Sequence, residues 1–210
     1  DARELSRHIP DESTDIIFTD PIYDRIEDYL WLSELGARIL KPERALLVWY
    51  GIGYLDKTID ALRRGGLSYR WQGIMWYRNR QKPLHCDMGY SQYAALFWFE
   101  KGRMKARKTI DLVGVNVFEQ KDLQATGGRS NHQWRKPMDA IIRWTMAFTE
   151  PGELVLDPFA GGGTVPAVCK LTSRNYLAFE VDPNTAEIAR KRISETQPPL
   201  ITELPHQLEL

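Results

Sequence analysis

The sequence contains little of what would direct its 210 residues to a membrane, a secreted scaffold or a metal site. Two cysteines, Cys86 and Cys169, cannot form a disulfide framework, so the cytoplasm, which keeps thiols reduced, is the expected setting. No apolar run approaches the ~20 residues of a membrane span, and the first residues show neither the basic flank nor the apolar stretch of a signal peptide. His85, Cys86, His132 and His206 lack the spacing of zinc ligands, and no metal is predicted.

The composition is instead that of a folded domain. Hydrophobic residues make up 43% of the chain and include seven Trp, nine Tyr and seven Phe, enough for a substantial core. The length predicts a single domain over residues 1–210. The net charge is zero, but residues 63–143 carry 16 Lys and Arg against six Asp and Glu, and the flanking segments are acidic. This distribution predicts one face that binds a polyanion, although solvated surface charge explains it equally well.

Hydrophobic periodicity predicts alternating strands and helices. Strands are predicted at 15–19, 45–50, 71–77, 93–99, 154–156 and 175–181. Helices are predicted at 26–40, 55–62, 137–148 and 183–193, and a further helix is predicted to run through residues 168 and 171. Residues 101–135 have the composition of a loop. The aromatic residues of two strands, Trp71, Trp76, Tyr77, Phe97, Trp98 and Phe99, are predicted to form core rather than a base-stacking platform. The alternation indicates an α/β fold with a mainly parallel sheet covered by helices on both faces.

A glycine-rich turn between a strand and a helix is the strongest functional signal. It reads Asp157-Pro158-Phe159-Ala160-Gly161-Gly162-Gly163-Thr164. Glycines in this position let the backbone bend tightly and approach a ligand closely. Glu180 ends the next strand, about 20 residues further on, the spacing at which a carboxylate accepts hydrogen bonds from ribose hydroxyls. After Thr164 the chain continues with Val165 and Pro166, whereas a phosphate-binding loop has Lys and Ser or Thr. The pattern therefore predicts a nucleoside-containing cofactor whose binding does not depend on pyrophosphate.

A second motif, Asp20-Pro21-Ile22-Tyr23, ends the first predicted strand. Its proline stiffens the turn and leaves carbonyl acceptors free, its aspartate supplies carboxylate oxygens, and its tyrosine supplies an aromatic face. Such a group can accept hydrogen bonds from an exocyclic amine and stack on the ring that carries it. Taken alone, the motif is more often an ordinary turn.

Together the two motifs resemble those of the permuted, beta-group DNA amino-methyltransferases, the N6-adenine and N4-cytosine DNA methylases. In that family an Asp-Pro-Pro-Tyr motif precedes an Asp-Pro-Phe-x-Gly-Ser-Gly-Thr motif, as here. The likeness extends to residues 11–19, to the His-x-x-x-Lys-Pro segment at 132–137 and to the strand at 176–180, and covers about residues 1–195. It implies a Rossmann-like methyltransferase fold with circularly permuted motif order and a small target-recognition insertion at about 78–135.

The resemblance also implies S-adenosylmethionine as cofactor and assigns roles to individual residues. The glycine-rich motif would contact the cofactor through Asp157, Phe159, Gly161, Gly163 and Thr164. Glu180 would hold the ribose hydroxyls, Val181 would pack on the adenine, and Asp1 would approach the adenine amine. His132 and Lys136 would lie near the methionine end. Asp20, the carbonyl of Pro21 and Tyr23 would receive the target base.

The sequence departs from the family pattern at three places. Ile22 replaces the second proline, which makes the turn less rigid, and Gly162 replaces the serine. The family has a further strand ahead of the position at which this sequence begins. Either the sequence is truncated at its start, or that edge strand is expected to be missing or to be replaced by residues 200–204.

The function expected from the resemblance is methylation of the exocyclic N6 of adenine in double-stranded DNA, with the target base flipped out of the helix. Aspartate at the first position of the Asp20 motif favours adenine over the alternative, N4 of cytosine. A second alternative is a nucleic-acid-binding module that keeps the fold and has lost turnover through Ile22. Because the insertion is short, we expect a short recognition site or the help of a second copy of the chain in recognising DNA. The sequence has no Gly-x-Ser-x-Gly motif, so hydrolase chemistry is not expected.

Overall fold

The computed structural model describes residues 1–76, 82–83, 90–91, 93–104, 117–119 and 138–197. The strands within these residues are β1 (Thr14–Thr19), β2 (Leu40–Tyr50), β3 (Ser68–Trp76), β4 (Lys82–Pro83), β5 (Tyr90–Ser91), β6 (Tyr93–Lys101), β7 (Val117–Glu119), β8 (Leu154–Asp157) and β9 (Asn175–Ala178). The α-helices are α1 (Ala2–Leu5), α2 (Ile26–Ile39), α3 (Leu55–Arg64), α4 (Met138–Phe148), α5 (Thr164–Leu171) and α6 (Pro183–Glu195). Short 3₁₀ turns lie at Ser6–His8 and Ile52–Tyr54.

Seven of these strands form one sheet in the order β7-β3-β6-β2-β1-β8-β9. Six of them run in the same direction, and β6 is antiparallel to both of its neighbours. The edge at which β1, β2, β3, β8 and β9 end is called the carboxyl edge, and the opposite edge the amino edge. Ligand sites of open α/β sheets lie at the carboxyl edge. The predicted mainly parallel sheet is confirmed.

Each face of the sheet buries its own hydrophobic core, because successive side chains of a strand point to opposite faces. Ile16 and Phe18 of β1 pack with α4 and α5, whereas Ile17 between them packs with α2 and α3. The apolar spacing of α2, with Tyr29, Leu32 and Ile39 fully buried, presents one helical face to the sheet. Both faces are therefore covered by helices, as predicted.

Strand β2 begins five residues earlier than predicted, in a polar stretch. The buried carboxylate of Asp15 in β1 explains this, because it pairs with Lys41 at 2.8 Å and with Arg44 at 3.1 Å. It also accepts a hydrogen bond from the Leu154 amide at 2.9 Å. A buried carboxylate is tolerated when its oxygens are paired in this way. These contacts join three neighbouring strands at the amino edge, and local periodicity does not reveal them.

Two predictions about the middle of the chain need correction. The predicted loop 101–135 contains a strand, β7, which pairs with the end of β3. Trp71, predicted to be core, is 53% exposed, whereas Phe97, Trp98 and Phe99 are buried as predicted. Of the basic segment, Arg63 and Arg64 end α3 and Arg103 follows β6, and the topology places these positions at the amino edge. Most of its other basic residues lie outside the described residues, so the polyanion-binding face stays a prediction.

The described residues contain no helix that is long and apolar enough to cross a membrane. Strand β9 has one neighbour in the sheet and forms its edge within the described part of the chain. The expected replacement strand at residues 200–204 lies outside the described residues, as does most of the predicted insertion at 78–135.

Candidate active site

The two motifs meet at the carboxyl edge because their strands are neighbours. Strand β1 leads into the turn at residues 20–23, here called the Asp20 turn, and β8 leads into the glycine loop at residues 158–163. Ile17 of β1 is in register with Leu156 of β8, so the two strands end side by side. The hydroxyl of Thr19 donates a hydrogen bond to Oδ1 of Asp157 at 2.7 Å and so links the two motifs directly.

Asp157 is buried beneath the glycine loop, with 3% of its surface exposed. Its Oδ1 atom also accepts a hydrogen bond from the amide of Phe159 at 3.2 Å. Burial raises the pKa of this carboxyl to about 7, and the two hydrogen bonds offset part of the effect. The nearby carboxylates of Asp20 and Glu180 raise it further. Through its hydrogen bond with the Phe159 amide, Asp157 holds the start of the glycine loop in place.

The Asp20 turn is held by a contact within the motif. The hydroxyl of Tyr23 donates a hydrogen bond to Oδ1 of Asp20 at 3.0 Å. Ile22, the residue that replaces the family's second proline, is 52% exposed. Behind the turn, the buried hydroxyl of Tyr29 donates to the carbonyl of Trp49 at 3.2 Å, and burial together with the charge of Asp20 raises its pKa. The tyrosine of the motif thus orients the aspartate.

The glycines of the loop have different roles. Gly161 has φ +49°, and a Cβ built on it would meet no atom within 4 Å, so its backbone is strained for other residues and faces open space. Gly163 has φ +73°, and a Cβ there would lie 2.9 Å from that of Ala189 in α6. Gly163 therefore lets α5 and α6 pack closely. Arg192 of α6 donates to Oγ1 of Thr164 at 2.8 Å and holds the start of α5.

Glu180 and Asp182, two acidic residues that follow β9, face different partners. Glu180 accepts from the amide of Gly161 at 2.9 Å and from that of Asp182 at 2.9 Å. Asp182 caps α6 by accepting from the amide and the hydroxyl of Thr185, and these hydrogen bonds lower its pKa. Val181 between them is 78% exposed. Glu180 is thus the acidic residue that faces the loop.

A chain of contacts brings the amino-terminal residues towards this edge. Asp1 caps α1 by accepting from the Arg3 amide at 2.8 Å. The Arg3 guanidinium pairs with Asp28 at 2.6 Å and lies over the Trp31 ring at 4.9 Å. Trp31 in turn makes an edge contact with Phe159 at 5.9 Å between ring centroids. Sequence reasoning missed Arg3 and Trp31, because neither belongs to a motif.

The residues at the glycine loop fit a nucleoside-containing cofactor. A carboxylate lies beside the open space at Gly161, and an exposed apolar side chain, Val181, follows it. An exposed aliphatic side chain next to a carboxylate is suited to cover an aromatic ring whose sugar the carboxylate binds. His132 and Lys136 lie outside the described residues, within which no group of three or more His, Cys, Asp or Glu residues could hold a metal ion.

This fold and site define an α/β protein that binds a nucleoside-containing cofactor beside a polar turn. A family model described as DNA methylase matches residues 14–191. The Type II methyltransferase M.HpaI of Haemophilus parainfluenzae is 25% identical over 221 residues, which cover 89% of this chain and 70% of that protein. The Type II methyltransferase M.HinfI of Haemophilus influenzae is also 25% identical, over 94% of this chain and 68% of that protein.

Solved structures share the fold. The M1.HpyAVI–SAM complex has a TM-score of 0.72 and 20% identity, over 92% of this chain and 96% of that chain. The PvuII DNA methyltransferase, which is cytosine-N4-specific, has a TM-score of 0.77 and 18% identity, over 91% of this chain and 83% of that chain. The chain belongs to the N6/N4 DNA methylase family, whose members depend on S-adenosylmethionine. The predicted family, fold and cofactor are confirmed.

Proposed function

We propose that this DNA methylase transfers the methyl group of S-adenosylmethionine to the exocyclic N6 of an adenine flipped out of double-stranded DNA. The hydrogen bond between Thr19 and Asp157 supports the proposal most directly, because it joins the Asp20 turn to the glycine loop. A group bound at the loop and a base held at the turn would therefore lie side by side. Proximity of this kind is a large part of the catalysis of a group transfer.

The glycine loop would hold the cofactor, which supplies an electrophilic methyl group on sulfur when bound. Glu180 would accept hydrogen bonds from the ribose hydroxyls, and Val181 and Phe159 would cover the adenine ring. Asp157, Gly161, Gly163 and Thr164 would shape the loop, and Asp1 would lie near the adenine end. His132 and Lys136 are proposed at the methionine end from the resemblance alone.

The Asp20 turn would activate the target amine. The lone pair of an exocyclic amine is delocalised into the ring, so the nitrogen is a poor nucleophile until it becomes pyramidal. The carboxylate of Asp20 and the carbonyl of Pro21 would each accept one amine hydrogen and favour the pyramidal form. Tyr23 would stack on the flipped base while its hydroxyl keeps Asp20 in place.

The choice of adenine rests on the aspartate at the first position of the motif. Cytosine N4 is the second candidate, because the same acceptors suit either amine, and the PvuII enzyme of the same fold is cytosine-N4-specific. A binding module without turnover is the third candidate, because Ile22 stands where the family has proline.

Labelled methyl transfer to unmethylated genomic DNA, followed by nucleoside analysis, tests the proposal. The expected product is N6-methyldeoxyadenosine, and Asp20→Ala should abolish its formation while S-adenosylmethionine still binds. Glu187→Ala, at an exposed position of α6, is the matched control and should keep wild-type activity. N4-methyldeoxycytidine would replace the adenine assignment with the cytosine one. Binding of DNA and cofactor with no transfer would support the binding module.

A further inference from the structure

Gly51 lies directly against the Tyr23 ring at the end of the strand next to β1. A Cβ built on Gly51 would lie 2.9 Å from Cβ of Tyr23 and 3.0 and 3.1 Å from its Cδ2 and Cγ. Real Cβ atoms essentially never approach another atom as closely as 2.9 Å. The backbone of Gly51 has φ −81° and ψ 127°, which any residue adopts. Space beside Tyr23, rather than backbone conformation, is therefore what favours glycine at this position.

The backbone of Gly51 is held on both sides. Two residues earlier, the carbonyl of Trp49 accepts the hydrogen bond from Tyr29, whose side chain is fully buried. Three residues later, the amide of Tyr54 donates to the carbonyl of Gly51 at 2.9 Å. The clash made by a side chain at position 51 could not be relieved by movement of this segment without breaking these contacts. The strain would fall on Tyr23.

We infer that Gly51 is a positioning residue of the active site, which sets the Tyr23 ring so that its hydroxyl holds Asp20. This inference rests on the proposed function of the Asp20 turn. The contact is made at Cβ and Cγ of Tyr23, close to its backbone, so the tyrosine cannot avoid a new methyl group by rotating its distal ring. Displacement of the ring would lengthen the hydrogen bond to Asp20 and tilt the surface on which the target base stacks.

Gly51→Ala tests the inference, with Gly53→Ala as the matched control. Gly53 lies two residues further on, and a Cβ there would meet no atom within 4 Å. We expect Gly51→Ala to lower kcat for methyl transfer at least about tenfold, a loss typical of a misplaced catalytic group. S-adenosylmethionine affinity and the melting temperature should match those of Gly53→Ala, which should behave as the wild type.

A double-mutant cycle separates the contact with Tyr23 from a general effect on folding. In a Tyr23→Gly background both the Cβ and the ring that the added methyl group would meet are gone, so Gly51→Ala should cause little further loss. An equal loss in both backgrounds, or unchanged turnover of Gly51→Ala, would overturn the inference.

A measurement that does not depend on methyl transfer can test the contact between Gly51 and Tyr23 separately from the proposed function. Fluorotyrosine labelling gives nine ¹⁹F signals, and the Tyr23 signal is assigned by its absence in Tyr23→Phe. The signal should shift in Gly51→Ala and stay in place in Gly53→Ala. A shifted signal in a protein whose wild type transfers no methyl group would refute the proposed function and leave the contact established. An unshifted signal would refute the contact itself.

Discussion

The hydroxyl of Thr19 and the carboxylate of Asp157 are joined by a buried hydrogen bond of 2.7 Å, although 138 residues separate them in the chain. Thr19 immediately precedes the Asp20 turn, and Asp157 immediately precedes the glycine loop. The hydrogen bond therefore fixes the spacing of the two segments that would hold the base and the cofactor. Parallel pairing of β1 and β8 makes the contact geometrically available, and the side chains complete it.

Replacing Thr19 with valine should uncouple the two segments. Valine keeps the shape of threonine and removes the hydroxyl, so Asp157 loses a hydrogen bond in a buried setting, at a cost of about 1–3 kcal/mol. We expect a lower free energy of unfolding and a kcat for methyl transfer reduced about tenfold or more. Thr19→Ser keeps the hydroxyl and should lie close to the wild type. A larger effect of serine than of valine would mean that the methyl group of Thr19, not its hydroxyl, matters.

The raised pKa of Asp157 predicts a pH-dependent contribution to stability. The folded carboxyl, with a pKa of about 7, binds a proton at pH values where the unfolded carboxyl is ionised. Its contribution is therefore complete below about pH 4, the unfolded pKa, and is lost as the pH rises to about 7, by at most about 4 kcal/mol. The difference in unfolding free energy between wild type and Asp157→Asn should thus change across this range.

Asp139→Asn, at an exposed site of α4, is the control and should keep the pH dependence of the wild type. Urea titrations at half-unit pH steps measure these differences. A parallel pH dependence in wild type and Asp157→Asn would show that Asp157 is ionised throughout and that the hydrogen bonds outweigh burial.

Glu180→Gln should weaken S-adenosylmethionine binding by disturbing the loop. Both carboxylate oxygens accept backbone amides, one from Gly161 and one from Asp182. The glutamine NH₂ group would place a donor against one of these donors, and the ribose hydroxyls would lose a charged acceptor. We expect calorimetric affinity to fall about tenfold or more, the equivalent of about 1.4 kcal/mol. Glu187→Gln, at an exposed position of α6, should leave affinity unchanged.

Tyr23→Phe should separate the two roles of the tyrosine. The ring face survives, so a 2-aminopurine base at the target site should still brighten on flipping. The hydrogen bond to Asp20 is removed, so kcat should fall with little change in the KM for DNA. Tyr23→Ala should lose stacking as well and raise the KM. Wild-type kcat in Tyr23→Phe would show that Asp20 is oriented by other groups.

Much of the fold could be predicted because its strands are apolar throughout and its helices have one apolar face. The helix predicted at 183–193 matches α6, Pro183–Glu195, to within two residues. The polar start of β2 could not be predicted, since it depends on the distant Asp15. The exposure of Trp71 also depends on which strands neighbour β3, which periodicity does not report.

The candidate site shows the same division. Asp20, Tyr23, Asp157 and Glu180 stand in local motifs, so their types and spacing predict them. Thr19, Arg192 and Gly51 matter only through partners that are far apart in sequence, namely Asp157, Thr164 and Tyr23. A weak signal existed for Thr19, because it is a polar residue at the end of an otherwise apolar strand. No sequence signal marks Gly51, whose backbone conformation is ordinary.

The position of basic residues relative to the carboxyl edge predicts their part in DNA binding. Arg129 and Arg135 lie outside the described residues, and we expect them near this edge only because they precede α4 in the sequence. Helix α4 begins at the carboxyl edge, since it leads through Phe148 to the start of β8 at the amino edge. Arg63 and Arg64 end α3 at the amino edge. Replacing Arg129 and Arg135 with glutamine should weaken DNA binding and flatten its salt dependence. The slope of log K against log salt concentration should fall by about 0.9 for each phosphate that the variant no longer neutralises. Neutralising the second pair should leave both unchanged.

The two double variants remove the same number of charges, so a difference between them cannot come from net charge. Fluorescence anisotropy with a labelled duplex, measured between about 50 and 200 mM salt, gives the slope for each protein. Cofactor affinity should be equal in both, because neither pair is assigned to the cofactor. If Arg63→Gln with Arg64→Gln flattens the slope instead, DNA reaches the amino edge, and the docking of DNA at the carboxyl edge alone would be wrong.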